Sequence, residues 1–248
     1  MAKDSRLTVL GSCGGFPEPG RACNGFLLEH ADYTIVLDLG YGTLPRLLAS
    51  RPGGDVDAIV ITHEHPDHCI DLHALFRVRF YGSDRHARIP LYCPPGVLDR
   101  LAGIEPDVDL SVVFDLTPLP GSCDIGPFRL TSTVLPHFVD NVGVRLQSRD
   151  LTLAYTGDTA PVPELAELGR DADLFIVEAT DRPGEIARPA RNLMTAAEAG
   201  QWAAAAGAER LLLTHFWPGR DRRASIAAAR EHYKGDVIAA DEVLILDL

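Results

Sequence analysis

Two β-sheets with helices packed outside them, an α/β arrangement, is the architecture this 248-residue chain points to. Three observations carry it. Short apolar or β-branched runs recur, most of them four to six residues long and bounded by turn residues. Helical stretches lie between several of these runs. No linker, repeat or low-complexity tract interrupts them, so a single domain over 1–248 is expected. In chain order the strand-like runs are 7–10, 25–28, 34–37, 58–61, 91–93, 112–114, 128–133, 142–146, 151–155, 174–177, 211–213 and 243–246. The helical stretches are 41–50, 69–81, 95–102, 163–169, 195–206 and 222–233. Thr195-Ala196-Ala197-Glu198 has the form of a capping box, a hydroxyl followed three residues later by a carboxylate, and so marks a helix start. Pattern alone leaves the strand order open.

Composition narrows the function classes. Hydrophobic residues make up 46% and charged residues 23%, the balance of a globular chain rather than a disordered one. No apolar run approaches the roughly 18 residues of a membrane span, and Met1-Ala2-Lys3-Asp4-Ser5-Arg6 reads as no secretory signal. The net charge of −12 repels phosphate polyanions unless a local basic patch overrides it, and no Lys/Arg-rich run exists. The five cysteines are scattered, with no C-x-x-C pair, which fits free thiols in a reducing, cytoplasmic setting.

The chemistry concentrates in Ile61-Thr62-His63-Glu64-His65-Pro66-Asp67-His68, just past the run 58–61. Imidazole and carboxylate are the ligands that borderline divalent metals prefer, and strand-end loops are where a sheet presents functional side chains. Four ligands in six residues exceed what one tetrahedral site takes while keeping an open position, so two metals are expected. A polar loop with incidental histidines is the plain alternative. Three later runs also end in a potential ligand: His137 after 131–136, Asp158 after 151–157, and His215 after 211–214. Singly, each is read as well as a cap or a solvated turn. Together with the first cluster they make seven ligands.

The order His63-x-His65-x-Asp67-His68, then His137, Asp158 and His215, resembles the metallo-β-lactamase superfamily. The flanks Leu10-Gly11-Ser12-Cys13-Gly14-Gly15, Leu37-Asp38-Leu39-Gly40, Thr156-Gly157-Asp158-Thr159 and Val177-Glu178-Ala179-Thr180 look most like its ribonuclease Z and phosphodiesterase branch. The resemblance implies an αβ/βα four-layer sandwich. It implies one metal on His63, His65 and His137, a second on Asp67, His68 and His215, and Asp158 bridging. Zinc is the first choice, with manganese or iron open. Asp67 and Glu178 are the implied catalytic carboxylates, Asp38 an implied support of the metal loop, and a homodimer the implied assembly. The implied reaction is hydrolysis of a phosphodiester by water activated between the metals.

The chain departs from the branch in two places. The arm that grips tRNA belongs between His137 and Asp158, where only 138–157 lie, enough for two strands and a turn. With that arm missing and a charge of −12, a substrate smaller than tRNA is expected, a cyclic nucleotide being one candidate. The branch also places a general-acid histidine just before its Thr-capped helix, and here that position is Leu193. Arg191 is one candidate to compensate. The alternatives are a lactone, thioester or amide hydrolase of the same fold, or a metal-binding homologue without catalysis. His73 reads as packed or surface, His86 as a polar-loop residue with a place at a substrate mouth as its alternative, and His30 and His232 as surface positions. The loop 13–24 has the length to cover a site, with Arg21 a candidate phosphate contact.

Overall fold

A computed structural model describes residues 5–82 and 87–248; His86 lies outside the described residues. Two seven-stranded sheets form. The first contains β1 (Ser5–Gly11), β2 (Gly25–His30), β3 (Tyr33–Leu39), β4 (Ala58–Val60), β5 (Ile89–Cys93), β6 (Phe114–Pro118) and β14 (Ile245–Asp247), in the order β14-β1-β2-β3-β4-β5-β6. The second contains β7 (Ser122–Ile125), β8 (Phe128–Leu135), β9 (Asn141–Gln147), β10 (Thr152–Tyr155), β11 (Leu174–Glu178), β12 (Arg210–Thr214) and β13 (Asp236–Ala239), in the order β13-β12-β11-β10-β9-β8-β7.

Period-two alternation sorts the side chains between two cores. In β3, Ile35 and Leu37 join Tyr155, Ile176 and Leu212 between the sheets. Val36 and Leu39 face the other way, onto Leu72, Leu75 and Phe76 of α2 (Pro66–Tyr81). Helices α1 (Leu44–Ser50), α2 and α3 (Gly96–Ala102) thus lie outside the first sheet. Beyond the second sheet, α5 (Ala196–Ala206) buries Ala199 and Ala203 and packs on α4 (Glu164–Leu168) and α6 (Arg222–His232). The result is the expected αβ/βα sandwich.

Strand direction decides where the site forms. β3, β4 and β5 run parallel, so their carboxyl ends share one edge. In the second sheet β10, β11 and β12 run parallel, and β8 points the same way because two antiparallel pairings separate it from β10. The residues following β4, β8, β10 and β12 therefore emerge together, at the carboxyl ends where open α/β sheets hold ligands.

Several expectations shift. The helix read at 69–81 begins at Pro66, because proline suits a first helical position and Asp67 a first turn. The run 112–114 is split: Asp109 accepts from the Ser111 amide and closes a 3₁₀ turn over Leu110–Val112, and the strand starts at Phe114. The run 243–246 moves to Ile245–Asp247, Val243 sitting at φ +58°. Strands β7 and β13 had no strand-like reading. His30 is buried rather than exposed, with its Nδ1 2.7 Å from Ser5 Oγ and its ring against Phe128. All five cysteines are free, and among the described residues no helix is long and apolar enough to cross a membrane.

Candidate metal centre

His63 and His65 follow β4, while Asp67 and His68 occupy the first turn of α2. Their loop is held from below by Asp38 at the end of β3. The backbone of Asp38 turns into the left-handed region, φ +55°, a conformation aspartate tolerates better than most residues. Its buried carboxylate accepts from the Thr62 amide at 2.8 Å, His68 Nδ1 at 2.6 Å and the Tyr155 hydroxyl at 2.6 Å. Thr62 also donates its hydroxyl to Asp38, which leaves its oxygen to accept from His63 Nδ1 at 3.0 Å.

The second sheet contributes one ligand per strand end. His137 follows β8, and its Nδ1 donates to the Asn192 carbonyl at 2.9 Å. Asp158 follows β10 after Gly157 at φ +58°, where a Cβ would meet Asn141 Oδ1 at 2.5 Å. His215 follows β12, its own φ at +57°, and its Nδ1 donates to Thr180 Oγ1 at 2.8 Å. Thr180 in turn donates to Glu178. These partners assign the tautomers. In His63, His68, His137 and His215 Nδ1 carries a proton, and Nε2 faces the centre.

Two of these Nε2 atoms converge on His65. His65 Nδ1 lies 3.1 Å from His63 Nε2 and 3.0 Å from His137 Nε2. Ligand atoms on a tetrahedron with zinc–nitrogen bonds of about 2.05 Å stand about 3.3 Å apart. Opposite, Asp67 Oδ2 lies 3.2 Å from His215 Nε2 and 3.7 Å from His68 Nε2. Asp158 sits between the two groups: Oδ2 is 3.2 Å from His215 Nε2, 3.7 Å from His137 and 4.0 Å from His63, and Oδ1 is 3.3 Å from His68 Nε2. His68 Nε2 and Asp158 Oδ1 are buried and have no hydrogen-bond partner. Buried polar atoms are rarely left so, and a cation between them satisfies both.

Charge makes the same case. Asp38, Asp67 and Asp158 are buried together, and among the described residues none of them pairs with lysine or arginine. Burial opposes the charge on His68, but Asp158, Asp38 and Asp67 outweigh it and hold that imidazole well above its ordinary value. Burial, then the neighbouring imidazoles, push His63 well below. Burial also raises Asp67 and Asp158, yet the facing histidines win and keep both carboxyls below their usual range. Three carboxylates, with His63, His65 and His137 held unprotonated by their burial, are a cation-binding set. His63, His65 and His137 form one triad with ligand atoms within 4.8 Å; Asp67, His68 and His215 form another; His63, His68 and Asp158 a third.

All seven sequence-derived ligand positions converge. Glu178, expected as a catalytic carboxylate, lies behind the ligands. It is fully buried and accepts from the Thr159 amide at 2.7 Å and from Thr180. From there it orients His215 through Thr180 and does not line the cavity. Burial, then Asp158, raise its pKa well above the ordinary value. Arg191 does not reach the cavity mouth either: its guanidinium is bound by Glu198. Arg21 is held among Glu18, Asp241 and Glu242. His73 pairs with Glu105.

Sequence reasoning missed the girdle beneath the centre. Tyr155 links Asp38 to Asn24 Nδ2, and Asn24 Oδ1 accepts from Thr214, next to His215. These residues are polar but lie inside apolar runs, where only the three-dimensional neighbour reveals them. Apart from Leu193 and the loop 13–24, it also missed the cavity wall. About 180 Å³ opens over the cluster, lined by Gly15, Phe138, Thr180, Arg182, Leu193 and Trp217 beside the ligands. Gly15 is the part of the 13–24 loop that touches the centre, donating its amide to Asp67 Oδ2 at 2.6 Å. A larger cleft of about 640 Å³ lies by the other end of the first sheet and holds no ligand triad among the described residues.

The Beta-lactamase superfamily domain matches residues 33–216, three-quarters of the chain and every ligand in the cluster. The chain belongs to the metallo-β-lactamase superfamily, in its ribonuclease Z-like branch. A probable metallo-hydrolase, YhfI of Bacillus subtilis, is 30% identical over 218 residues, covering 85% of this chain and 86% of the relative. The YhfI crystal structure superposes with a TM-score of 0.87 at 26% identity, over 98% of this chain and 99% of that one. A ribonuclease Z of Salinispora arenicola is 26% identical, covering 98% and 96%. That alignment is 298 positions long against 248 residues here, so this superfamily member lacks segments the ribonuclease carries.

Proposed function

We propose that the protein is a metal-dependent hydrolase acting on a small phosphodiester, a cyclic nucleotide being one candidate. The observation that carries the reading is the pair of facing ligand groups with Asp158 between them. His63, His65 and His137 would hold one divalent ion, and Asp67, His68 and His215 the other. Zinc suits the imidazole-rich first group. Two such ions, when bound, lower the pKa of water and neutralise charge on phosphoryl oxygens.

The residues do the rest. Asp38, Thr62, Asn192 and Thr180 fix each histidine's tautomer and so aim its lone pair before any ligand arrives. Asp67 lines the cavity in ionised form and is the group placed to take a proton from attacking water. Leu193 packs into the wall, 4% exposed, so no side-chain acid stands where the branch keeps its histidine. An alkoxide leaving group, as in a cyclic nucleotide, would therefore take its proton from water. The short connection from His137 to Asp158 through β9 and β10 supports a substrate smaller than tRNA. The same leucine favours a second reading, hydrolysis of a thioester at this centre, whose thiolate leaves without a proton; a lactone is the related alternative.

Metal-loaded protein is expected to cleave bis(p-nitrophenyl) phosphate or a cyclic nucleotide at a rate well above a His65→Ala control. A parallel panel of esters, lactones and thioesters separates the readings. Turnover confined to the carbonyl panel replaces the phosphodiester assignment with the second one, and no turnover in either panel removes both.

A further inference from the structure

Three other arginines around the site face carboxylates. Arg191 binds Glu198, Arg188 lies 3.8 Å from Glu185, and Arg222 pairs with Asp241. Arg182 is different. It lines the cavity beside Thr180 and Leu193, and its guanidinium carbon lies 5.3 Å over the Trp217 ring. Among the described residues its guanidinium forms no ion pair and no hydrogen bond, while its backbone carbonyl accepts from the Glu185 amide. Trp217 is itself propped edge-on by Phe16, with ring centroids 5.9 Å apart.

A partly buried guanidinium without a carboxylate needs a reason. Stacking on an indole fixes its plane and offsets some of its lost hydration, yet leaves its N–H donors unused. A planar fork with free donors matches two oxygens of one phosphoryl group. The cavity, about 180 Å³, is smaller than the roughly 300 Å³ at which pockets for whole drug-sized ligands begin, so it admits a head group and leaves the remainder outside. Among its lining residues Arg182 is the one fixed cation, and the carboxylates of Asp67 and Asp158 line the same cavity.

We propose that Arg182, seated on Trp217, is the anion-recognition residue that makes this centre prefer phosphoryl substrates to neutral carbonyl ones. The inference rests on the hydrolase reading of the same site, and deepens it by naming what selects the substrate. It requires no proton transfer by Arg182. The guanidinium holds non-bridging oxygens while the neighbouring ligands engage the rest of the group.

The test uses metal-loaded full-length protein with inorganic phosphate as the probe. The chain has two tryptophans, so a Trp202→Phe background isolates Trp217 emission. Phosphate is expected to bind by calorimetry and to change that emission. Arg182→Gln should weaken binding 10- to 100-fold, the scale of a charged hydrogen bond, and abolish the emission change at equal metal content. Arg182→Lys should recover part of the affinity, and Arg188→Gln should match the parent. For phosphodiester turnover Arg182→Gln should lose a similar factor in kcat/KM, while p-nitrophenyl acetate turnover moves less than twofold. If the wild type cleaves no phosphodiester, the reaction reading fails, and the phosphate titration still decides the role of Arg182. Equal phosphate affinity in wild type and Arg182→Gln, or none in either, overturns the proposal.

Discussion

The first sheet delivers its side chains to the centre from two adjacent strand ends, β3 and β4, within residues 38–68. The second delivers them from four strand ends spread over residues 137–215. In the first case one short segment carries four ligands and a single carboxylate, Asp38, braces it. In the second, each ligand has its own support: Asn192 for His137, Gly157 for Asp158, and Thr180 with Glu178 for His215. A contiguous cluster folds as a unit once its strand and helix form. A dispersed set depends on strand order, and only the parallel run β10-β11-β12 makes it converge.

The sharpest way to break this comparison is at Asp158, the carboxylate of the second sheet that faces both imidazole groups. Asp158→Ala should lower bound metal by about half and turnover about 10³-fold, since the metals supply several kcal/mol of charge stabilisation. Elemental analysis beside a rate measurement checks it. Unchanged metal content would mean that the two triads do not share this residue.

The same contrast explains what could be read from sequence. The four-ligand segment is legible because its density is improbable in a loop, and the central strands are legible because burial on two faces leaves unbroken apolar runs. The later ligands are single residues after ordinary strands, and become persuasive only as a set in order. The edge strands fared worst. β7 and β13 went unread, while β6 and β14 were displaced, and these four are the borders of the two sheets. An edge strand has one neighbour and faces solvent, so its sequence carries little apolar signal: β7 is Ser-Cys-Asp-Ile and only Ile125 is buried. Glu178 was read as catalytic because its segment resembles a catalytic one, and its burial behind Thr180 is a fact of packing. Arg182 was unread because a cation beside a tryptophan far along the chain has no sequence signature.

A smaller effect should separate the two bracing schemes. Asp38→Asn keeps a residue that tolerates the left-handed backbone, but turns an amide toward the donors of His68 and Tyr155. Metal affinity, read by chelator competition, should fall toward the upper end of the 10- to 100-fold range typical of such supports. Glu178→Gln acts on His215 through one intervening hydroxyl and should fall toward the lower end. Equal losses would show that direct and relayed bracing are interchangeable here.

The smallest effect concerns the entry to α5, which anchors the segment carrying Asn192 and Leu193. Thr195 caps the helix by accepting from the Glu198 amide, Glu198 answers to the Thr195 amide, and Glu198 also binds Arg191. By contrast α2, which carries Asp67 and His68, has no side-chain cap. Burial raises the Glu198 carboxyl, but Arg191 and Thr195 outweigh it and bring it below its ordinary value of 4.5. A carboxyl with a lowered folded pKa contributes stability above its unfolded value and loses that contribution as pH falls through the folded one. Glu198→Gln should therefore cost about 1 kcal/mol at pH 7, the scale of a lost cap, and the difference from wild type should shrink as the pH drops below about 4. Urea melts at both pH values measure it. A gap that widens in acid would reverse the sign and place the charge of Glu198 outside the folding balance of this segment.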